Sequence, residues 1–554
     1  MNASDILRSK PDPSAVPVHL VAEAPPGELE EGALRRAADE ALGVDAAGQA
    51  WSVEPVFSDS EVEELGSFFE VSGRLNAATL PRAAFDAAYR LEAALRLLAG
   101  PGARVRPDLE STVFVRPYTP ESRAVPSPRS EPPRWSLEAI DGPGAWATPP
   151  APGGAARGRG ILVGHPDTGY GDHPELDHGA LDLEHGFDFV NDDSDARDPM
   201  DPNELPEGHG TRTGSVIVGR EAGEVAGVAP EAMLLPLRAT KSVALVRGVG
   251  AAKAVDHARR NGCHVVSMSM GGVLLTGALE AAIELAVQSG MIVMAAAGNW
   301  DWARISLPGQ AKFVVEPARY RNCIAVAASN ADGAPWSGSS RGKKVLISAP
   351  GESVWVPAMK DDVNVSRSSG TSYAVAHLAG VAALWLAHWG PSALKERYRP
   401  ENVQAVFVQV LRSSGFTRPD KWDTGKFGVG IVNAKAVLDA PLPDAPPPRP
   451  KESPQRTSSR ERLEAVLGAE ETGEVEPELA RLFRAPPGEL DDEIDRIGDE
   501  VAYLLAENPD FLRHMSRARG SEQTAGDDVE AVRDMLASAG SPQLAGAVAS
   551  DADT

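Results

Sequence analysis

At 554 residues the chain is too long for one hydrophobic core and long enough for about three or four domains. Its 42% hydrophobic and 24% charged content is that of a globular protein. A formal net charge of −25 repels phosphate, which excludes sequence-independent binding to nucleic acid or to anionic membrane surfaces.

The opening residues, MNASDILRSKPDPSAV, lack the apolar core of a secretory signal, and no apolar run approaches membrane-spanning length. Cys263 and Cys323 each lie inside a Val/Ala-rich stretch and read as small buried hydrophobes in a reducing compartment. The expectation is a cytoplasmic protein with no membrane and no nucleic-acid partner.

Residues 1–116 carry a mixed pattern. VHLVA (18–22) is strand-like, ALRRAADEAL (33–42) is helical, and AWSVEPVF (50–57) and SFFEVSGRL (67–75) alternate like paired strands. PRAAFDAAYRLEAALRLL (81–98) opens on Pro81 and spaces Phe85, Ala88, Leu91, Leu95 and Leu98 along one helix face. ARVRP (103–107) completes a βαββαβ order of ferredoxin-like α+β type. Residues 117–134 are rich in proline and serine and read as a linker.

From 135 to 440 short apolar runs alternate with helical patterns, which predicts a mainly parallel sheet between helices, an α/β fold of three layers. GILVGHPDTG (160–169), CHVVSMSMGG (263–272), MIVMAAAGN (291–299) and CIAVAASN (323–330) are the clearest strands. A Pro-rich linker follows at 441–455. Residues 456–554 show no convincing strand and predict a small all-α domain. With 23 acidic against 10 basic side chains, that domain reads as a solvated acidic module or as a docking surface for a protein partner.

Four polar residues sit where α/β chemistry collects, at strand ends and helix starts. Asp167 follows an apolar strand, His209 enters a helix in GHGTRTGSVIVG, Asn299 follows MIVMAAA, and Ser372 opens the apolar helix in SSGTSYAVAHLAG. Acyl transfer needs these types. A serine hydroxyl becomes a nucleophile when an imidazole takes its proton, and a buried carboxylate fixes that imidazole. An oxyanion needs preorganised donors, which a helix N-terminus and an asparagine amide supply. Each residue alone has a plainer reading as a turn or cap residue.

The order Asp, His, Ser, carried by DTG, HGT and GTSYA, resembles the subtilisin-like serine proteases, the subtilases. AAGN resembles the family's oxyanion asparagine, SMSMGG (267–272) its substrate strand, WSLEAIDGPGAW (135–146) its opening segment, and GKFGVGIVNAKAVL (425–438) its closing turn and helix. The resemblance implies a serine endopeptidase acting on protein or peptide substrates, with Asp167, His209 and Ser372 as triad and Asn299 in the oxyanion hole. It implies a substrate backbone paired with strand 267–272, and a pocket at Ser269, Met270, Gly271, Ala296, Ala297 and Gly298 for a hydrophobic or neutral side chain. It further implies that residues 1–116 are a propeptide-like domain that chaperones folding and inhibits the enzyme, with cleavage within 108–134. A catalytically silent subtilase fold used for peptide binding or regulation is the rival reading.

The chain departs from the family at Ala376, where proline is usual, and at Arg212, where many members carry a second histidine. No cofactor is expected for chemistry. Glu175 stands where many subtilases carry a calcium-ligating carboxylate, but REAGEV (220–225) lacks the asparagine-rich partner loop, so a structural calcium ion is not the expectation. The acidic run 188–201 fits no EF-hand spacing and reads as a solvated loop. A second D-T-G at Asp423–Gly425 follows no apolar strand, which sets aside an aspartic-protease reading, and GVGAAKA (248–254) completes no nucleotide loop.

Overall fold

The computed structural model describes residues 15–447 apart from 26, 59, 77–81, 101, 109–130, 177, 201–206, 244, 246–247, 273–274, 276, 300–313 and 360–363. The acidic segment 456–554 and most of the 117–134 linker therefore lie outside the described residues.

The first unit contains β1 (Ala15–Glu23), α1 (Glu31–Leu42), β2 (Ser52–Pro55), β3 (Phe68–Asn76), α2 (Arg82–Ala99) and β4 (Arg104–Asp108). Its four strands form an antiparallel sheet in the order β2-β3-β1-β4. Val18, Leu20, Val53 and Val71 point from the sheet into a core shared with Leu34 of α1 and with Leu91 and Leu95 of α2. Leu98, placed on that face by the sequence, is 54% exposed, whereas Ala99 is buried. Four residues beyond Leu95 complete the helical turn, and three fall short of it.

The second unit begins with two short helices, α3 (Trp135–Ala139) and α4 (Gly142–Ala147). β5 (Leu162–Asp167), β6 (Phe187–Asp188), α5 (His209–Val218), β7 (Met233–Arg238), α6 (Val249–Arg260), β8 (Val265–Met268), α7 (Gly277–Gln288) and β9 (Ile292–Ala296) follow. β10 (Ile324–Ser329) and β11 (Val345–Pro350) continue the sheet, and β12 (Val354–Pro357) and β13 (Val365–Ser368) form a separate hairpin. The chain closes with α8 (Thr371–Trp389), α9 (Pro391–Tyr398), α10 (Val403–Ser413), β14 (Phe416–Thr417), α11 (Thr424–Phe427), β15 (Ile431–Val432) and α12 (Ala434–Asp439).

The large sheet runs β14-β15-β11-β10-β9-β8-β5-β7-β6, and every pairing except β14 with β15 is parallel. Strands β8 to β11 are buried throughout, which explains why they read as continuous apolar runs. One face of the sheet shares a core with α5, α8 and α10, and the other with α6 and α7. These are the three layers expected from the sequence. α8 is buried from Thr371 to His388, so it runs through the interior rather than over the surface. Among the described residues no helix is long and apolar enough to cross a membrane.

β5 pairs with β8 on one side and β7 on the other. The chain leaves β5 for the sheet edge, returns through β7, and then crosses to β8. Strand order therefore reverses at β5, and its carboxyl end opens a crevice where the ligands of α/β sheets collect.

The two units touch. Val21, Val56, Phe57, Leu65 and Phe68 of the first share a core with α6 and α7 of the second. Asp108, at the end of β4, accepts the Gly248 N–H at 3.0 Å, at the N-terminus of α6. A carboxylate there meets both an unpaired helix donor and the positive end of the helix dipole. The segment GVGAAKA is thus a helix start occupied by this chain's own aspartate.

Candidate active site

Asp167 ends β5 at the crevice and is fully buried. Its Oδ1 accepts from His209 Nδ1 at 2.7 Å and from the Thr168 N–H at 2.7 Å. Its Oδ2 accepts from the Thr213 hydroxyl at 3.2 Å. Burial works against the charge, but His209, through its charge and its hydrogen bond, outweighs it and holds the carboxyl below the ordinary range.

His209 is the first residue of α5, and Gly208 before it takes φ 64°, a left-handed turn that aims the helix start back at β5. Asp198 fixes this approach. Its Oδ2 accepts from the Gly208 N–H at 3.0 Å and from the Thr168 hydroxyl at 2.7 Å. The acidic run is therefore only partly solvated, since Asp188 is also buried and pairs with Arg238 at 2.6 Å.

Asn299 follows β9 and is held by Thr371, the first residue of α8. Its Oδ1 accepts from the Thr371 N–H at 2.8 Å and from the Thr371 hydroxyl at 2.7 Å. Two donors on one side identify that atom as the oxygen and turn the NH2 group away. A Cβ built on Gly370 would lie 3.4 Å from Asn299 Nδ2 and 3.6 Å from the Ser372 nitrogen. The amide of one residue and the backbone donor of the other thus border one space. Gly370 itself is extended, so its use lies in leaving that space empty.

Ser372, the second residue of α8, donates its hydroxyl to the Ser269 carbonyl at 3.3 Å, while the Ser269 hydroxyl donates to the Ser372 carbonyl at 3.1 Å. α5 and α8 pack against each other, each opening with its polar residue. The four residues singled out from sequence thus fall into two bonded pairs, Asp167 with His209 and Asn299 with the start of α8.

Two of the expected pocket glycines, Gly271 and Gly298, lie against a side chain that the sequence did not reveal. A Cβ on Gly271 would stand 2.6 Å from Val315 Cγ2, and one on Gly298 would stand 3.0 Å from Val315 Cγ1. The Val315 isopropyl group therefore lies between the two glycines. Met270, Ala296 and Ala297 are buried behind them.

The 267–272 stretch, expected to pair with a substrate backbone, is already paired at Gly271. The Leu245 N–H donates to the Gly271 carbonyl at 2.8 Å, and the Gly271 N–H donates to the Val243 carbonyl at 2.9 Å. Both backbone groups of Gly271 are engaged by the chain itself, through Val243 and Leu245.

Around Glu175 every oxygen described has a donor from the protein. Glu175 accepts the N–H groups of Glu224 at 2.7 Å and Val225 at 2.9 Å. The Glu221 and Gly223 carbonyls each take an Arg134 Nη2 donor at 2.6 Å. This arrangement does not fit a bound calcium ion, which needs six or more free oxygen ligands. Among the described residues no group of three or more His, Cys, Asp or Glu side chains is placed to hold a metal.

The second D-T-G is an ordinary cap, with Asp423 accepting the Gly425 N–H at the start of α11. Cys263 and Cys323 are free, and burial pushes both thiols up, out of the reactive range.

The sequence profile of the subtilase family matches residues 158–430. Thermitase of Thermoactinomyces vulgaris is 33% identical over 272 residues, which are 49% of this chain and 87% of thermitase. Subtilisin Savinase of Lederbergia lenta is 30% identical over 281 residues, 50% of this chain and 91% of that protein. Among solved structures, a protease of Pseudoalteromonas arctica is similar with 25% identity and a TM-score of 0.43, over 56% of this chain and 99% of that one. The matched stretch runs from just before β5 to the turn before β15, and so holds the strand ends and helix starts on which Asp167, His209, Asn299 and Ser372 stand. By this likeness to thermitase and the subtilisins, the chain belongs to the subtilase family and is a subtilisin-like serine endopeptidase.

Proposed function

We propose that Asp167, His209 and Ser372 form the catalytic triad and that Asn299 and the Ser372 N–H bind the oxyanion. The observation that carries this reading is the 2.7 Å bond between His209 Nδ1 and a fully buried Asp167. It places the ring proton on Nδ1 and leaves Nε2 as the base. Ser372 Oγ attacks the scissile carbonyl while His209 Nε2 takes its proton. Asp167 stabilises the imidazolium, and the proton passes to the leaving amine. Negative charge on the carbonyl oxygen develops beside Gly370, where Asn299 Nδ2 and the Ser372 N–H meet it. Water then hydrolyses the acyl-enzyme by the same proton path.

The Val315 isopropyl between Gly271 and Gly298 supports a shallow pocket for a small apolar side chain before the scissile bond, narrower than the lining glycines and alanines suggest. Latency also belongs to this reading. Val243 and Leu245 close the Gly271 edge, and Asp108 of the first unit holds Gly248, three residues beyond Leu245. Docking of the first unit and closure of the groove therefore share one short segment, which supports an inhibitory, propeptide-like role for residues 1–116. Cleavage within 109–130 would leave Arg134 in place. We read that guanidinium as a tethered cation at the Glu175 loop, so that no calcium ion is needed there. Free cysteines, Cys263 buried and Cys323 half-buried, support a reducing, cytoplasmic setting, and the 456–554 segment is proposed to meet a protein partner through its acidic charge.

Hydrolysis of a chromogenic peptide with alanine before the reporter tests the function. The Ser372→Ala variant is expected to lower kcat about a millionfold. The Ser372 bond to the Ser269 carbonyl favours one second reading, a catalytically silent fold used for peptide binding or regulation. Turnover that stays at background in the chain cut within 109–130 would select it.

A further inference from the structure

The strand that delivers Asp167 carries a histidine where an apolar residue would pack more simply. His165 is 1% exposed, two residues before Asp167 and on the same side of β5. Its Nε2 stands 3.0 Å from Thr213 Oγ1 and 3.7 Å from Asp167 Oδ2. Thr213 lies one turn after His209 on α5, so its hydroxyl reaches both Asp167 Oδ2 at 3.2 Å and the His209 carbonyl at 3.1 Å.

The single hydroxyl hydrogen has three acceptors to choose among, the third being the Gly210 carbonyl at 3.4 Å. On a helix a threonine by default bonds back to the carbonyl four residues earlier. A donor on the far side of Thr213 changes the choice by filling an oxygen lone pair and turning the hydrogen toward the carboxylate. His165 is placed to be that donor, because a bare Nε2 lone pair facing Asp167 Oδ2 would set two acceptors against each other. The ring then carries its hydrogen on Nε2. Burial, acting first, keeps this imidazole neutral against the pull of Asp167.

We propose that His165, acting through Thr213, is a positioning residue that holds the second oxygen of Asp167 and so fixes the carboxylate plane on which His209 is aligned. The proposal rests on the triad reading given above. Asp167 Oδ1 already has two donors, whereas Oδ2 has Thr213 alone among the bonds described. With that donor missing, a buried charged oxygen is left uncompensated and the carboxylate can rotate. The charged and titratable groups around the carboxylate are few. β5 brings His165, α5 brings His209, the loop before α5 brings Asp198, and β7 brings Arg238, whose guanidinium is bound to Asp188.

Two measurements test this, the first on the full chain and the second on protein cut within 109–130. In the wild-type protein, 15N NMR of labelled histidine, with His165 assigned by the loss of its signal in His165→Leu, should find a neutral ring protonated on Nε2. A ring protonated only on Nδ1 would overturn the proposal, and this readout needs no activity. In peptide hydrolysis, Thr213→Val should lower kcat about ten- to a hundredfold with KM within about twofold. It should also move the acid limb of the pH profile upward, because a carboxylate with one donor fewer holds the His209 imidazolium harder. Thr213→Ser should restore both. His165→Leu should act in the same direction, and the double variant should be no worse than Thr213→Val, as expected for groups in series. Independent, multiplying losses, or unchanged kcat and pH profile in folded variants, would overturn the relay. Wild-type protein cut within 109–130 that lacks Ser372-dependent activity would sink the triad reading instead, with the tautomer still deciding the geometry.

Discussion

Asp167 and Glu175 lie eight residues apart and both bury a carboxylate, yet they serve different ends. Glu175 meets the backbone N–H groups of Glu224 and Val225, which cannot titrate or leave. It is a rivet for the 219–227 loop, reinforced by Arg134 across the Glu221 and Gly223 carbonyls. Asp167 meets a ring that can gain a proton, with Thr168 and Thr213 to steady it. Burial costs both groups alike. In the proposed triad, the identity of the donor decides whether a buried charge holds a loop or tunes a base.

Exchanging the charge at each position breaks the comparison most sharply. Asp167→Asn should lower kcat about ten-thousandfold while thermal unfolding stays near wild type, because the geometry survives and the His209 tautomer does not. Glu175→Gln should do the reverse, leaving kcat within about twofold and lowering stability by about 1–3 kcal/mol. Equal kinetic losses in the two variants would erase the distinction. Asn299→Ala should then cost about a hundred- to a thousandfold in kcat with little change in KM, measured on the same peptide.

His377 extends the theme inside α8. It is fully buried, with its Nδ1 2.7 Å from the Tyr373 carbonyl, and burial lowers it to about 4. The unfolded chain takes up this proton near 6.5 and the folded chain refuses it until about 4. Stability is therefore full above pH 6.5 and falls as pH drops toward 4, by roughly 3 kcal/mol for this group. Denaturant melts at pH 7 and pH 4.5 should show the drop, and His377→Leu should flatten it.

Smaller effects sharpen the picture at the two loops. Arg134→Ala should destabilise the protein by about 1.5–3 kcal/mol, while a calcium chelator leaves the Tm of the wild type unmoved. A chelator-dependent Tm would mean that the loop needs a metal after all. Val315→Gly should raise kcat/KM for phenylalanine over alanine before the scissile bond by about tenfold or more. An unchanged ratio would remove Val315 from the pocket floor.

What the sequence made legible follows from distance along the chain. DTG, HGT, AAGN and GTSYA are local, and each places its residue at a strand end or helix start that local patterning already marks. The buried strands β8 to β11 announce themselves as apolar runs, whereas β6, β14 and β15, two residues each, carry too little pattern to read. The supporting contacts were hidden because they are tertiary. Arg134 reaches Gly223 from 89 residues away, and Val315 enters a crevice between two distant glycines. Closure of the Gly271 edge by Val243 and Leu245 has no sequence signature at all. Thr213 was the nearest to legible, since one helical turn separates it from His209, but a threonine there also reads as an ordinary back-bonded hydroxyl.

The most direct test of the account is covalent labelling by a fluorophosphonate probe, applied to the full chain and to protein cut within 109–130, with the modified peptide located by mass spectrometry. The account predicts one adduct, on Ser372, stronger after the cut and absent in His209→Ala. An adduct on another serine, or none on Ser372 in the cut protein, would contradict it.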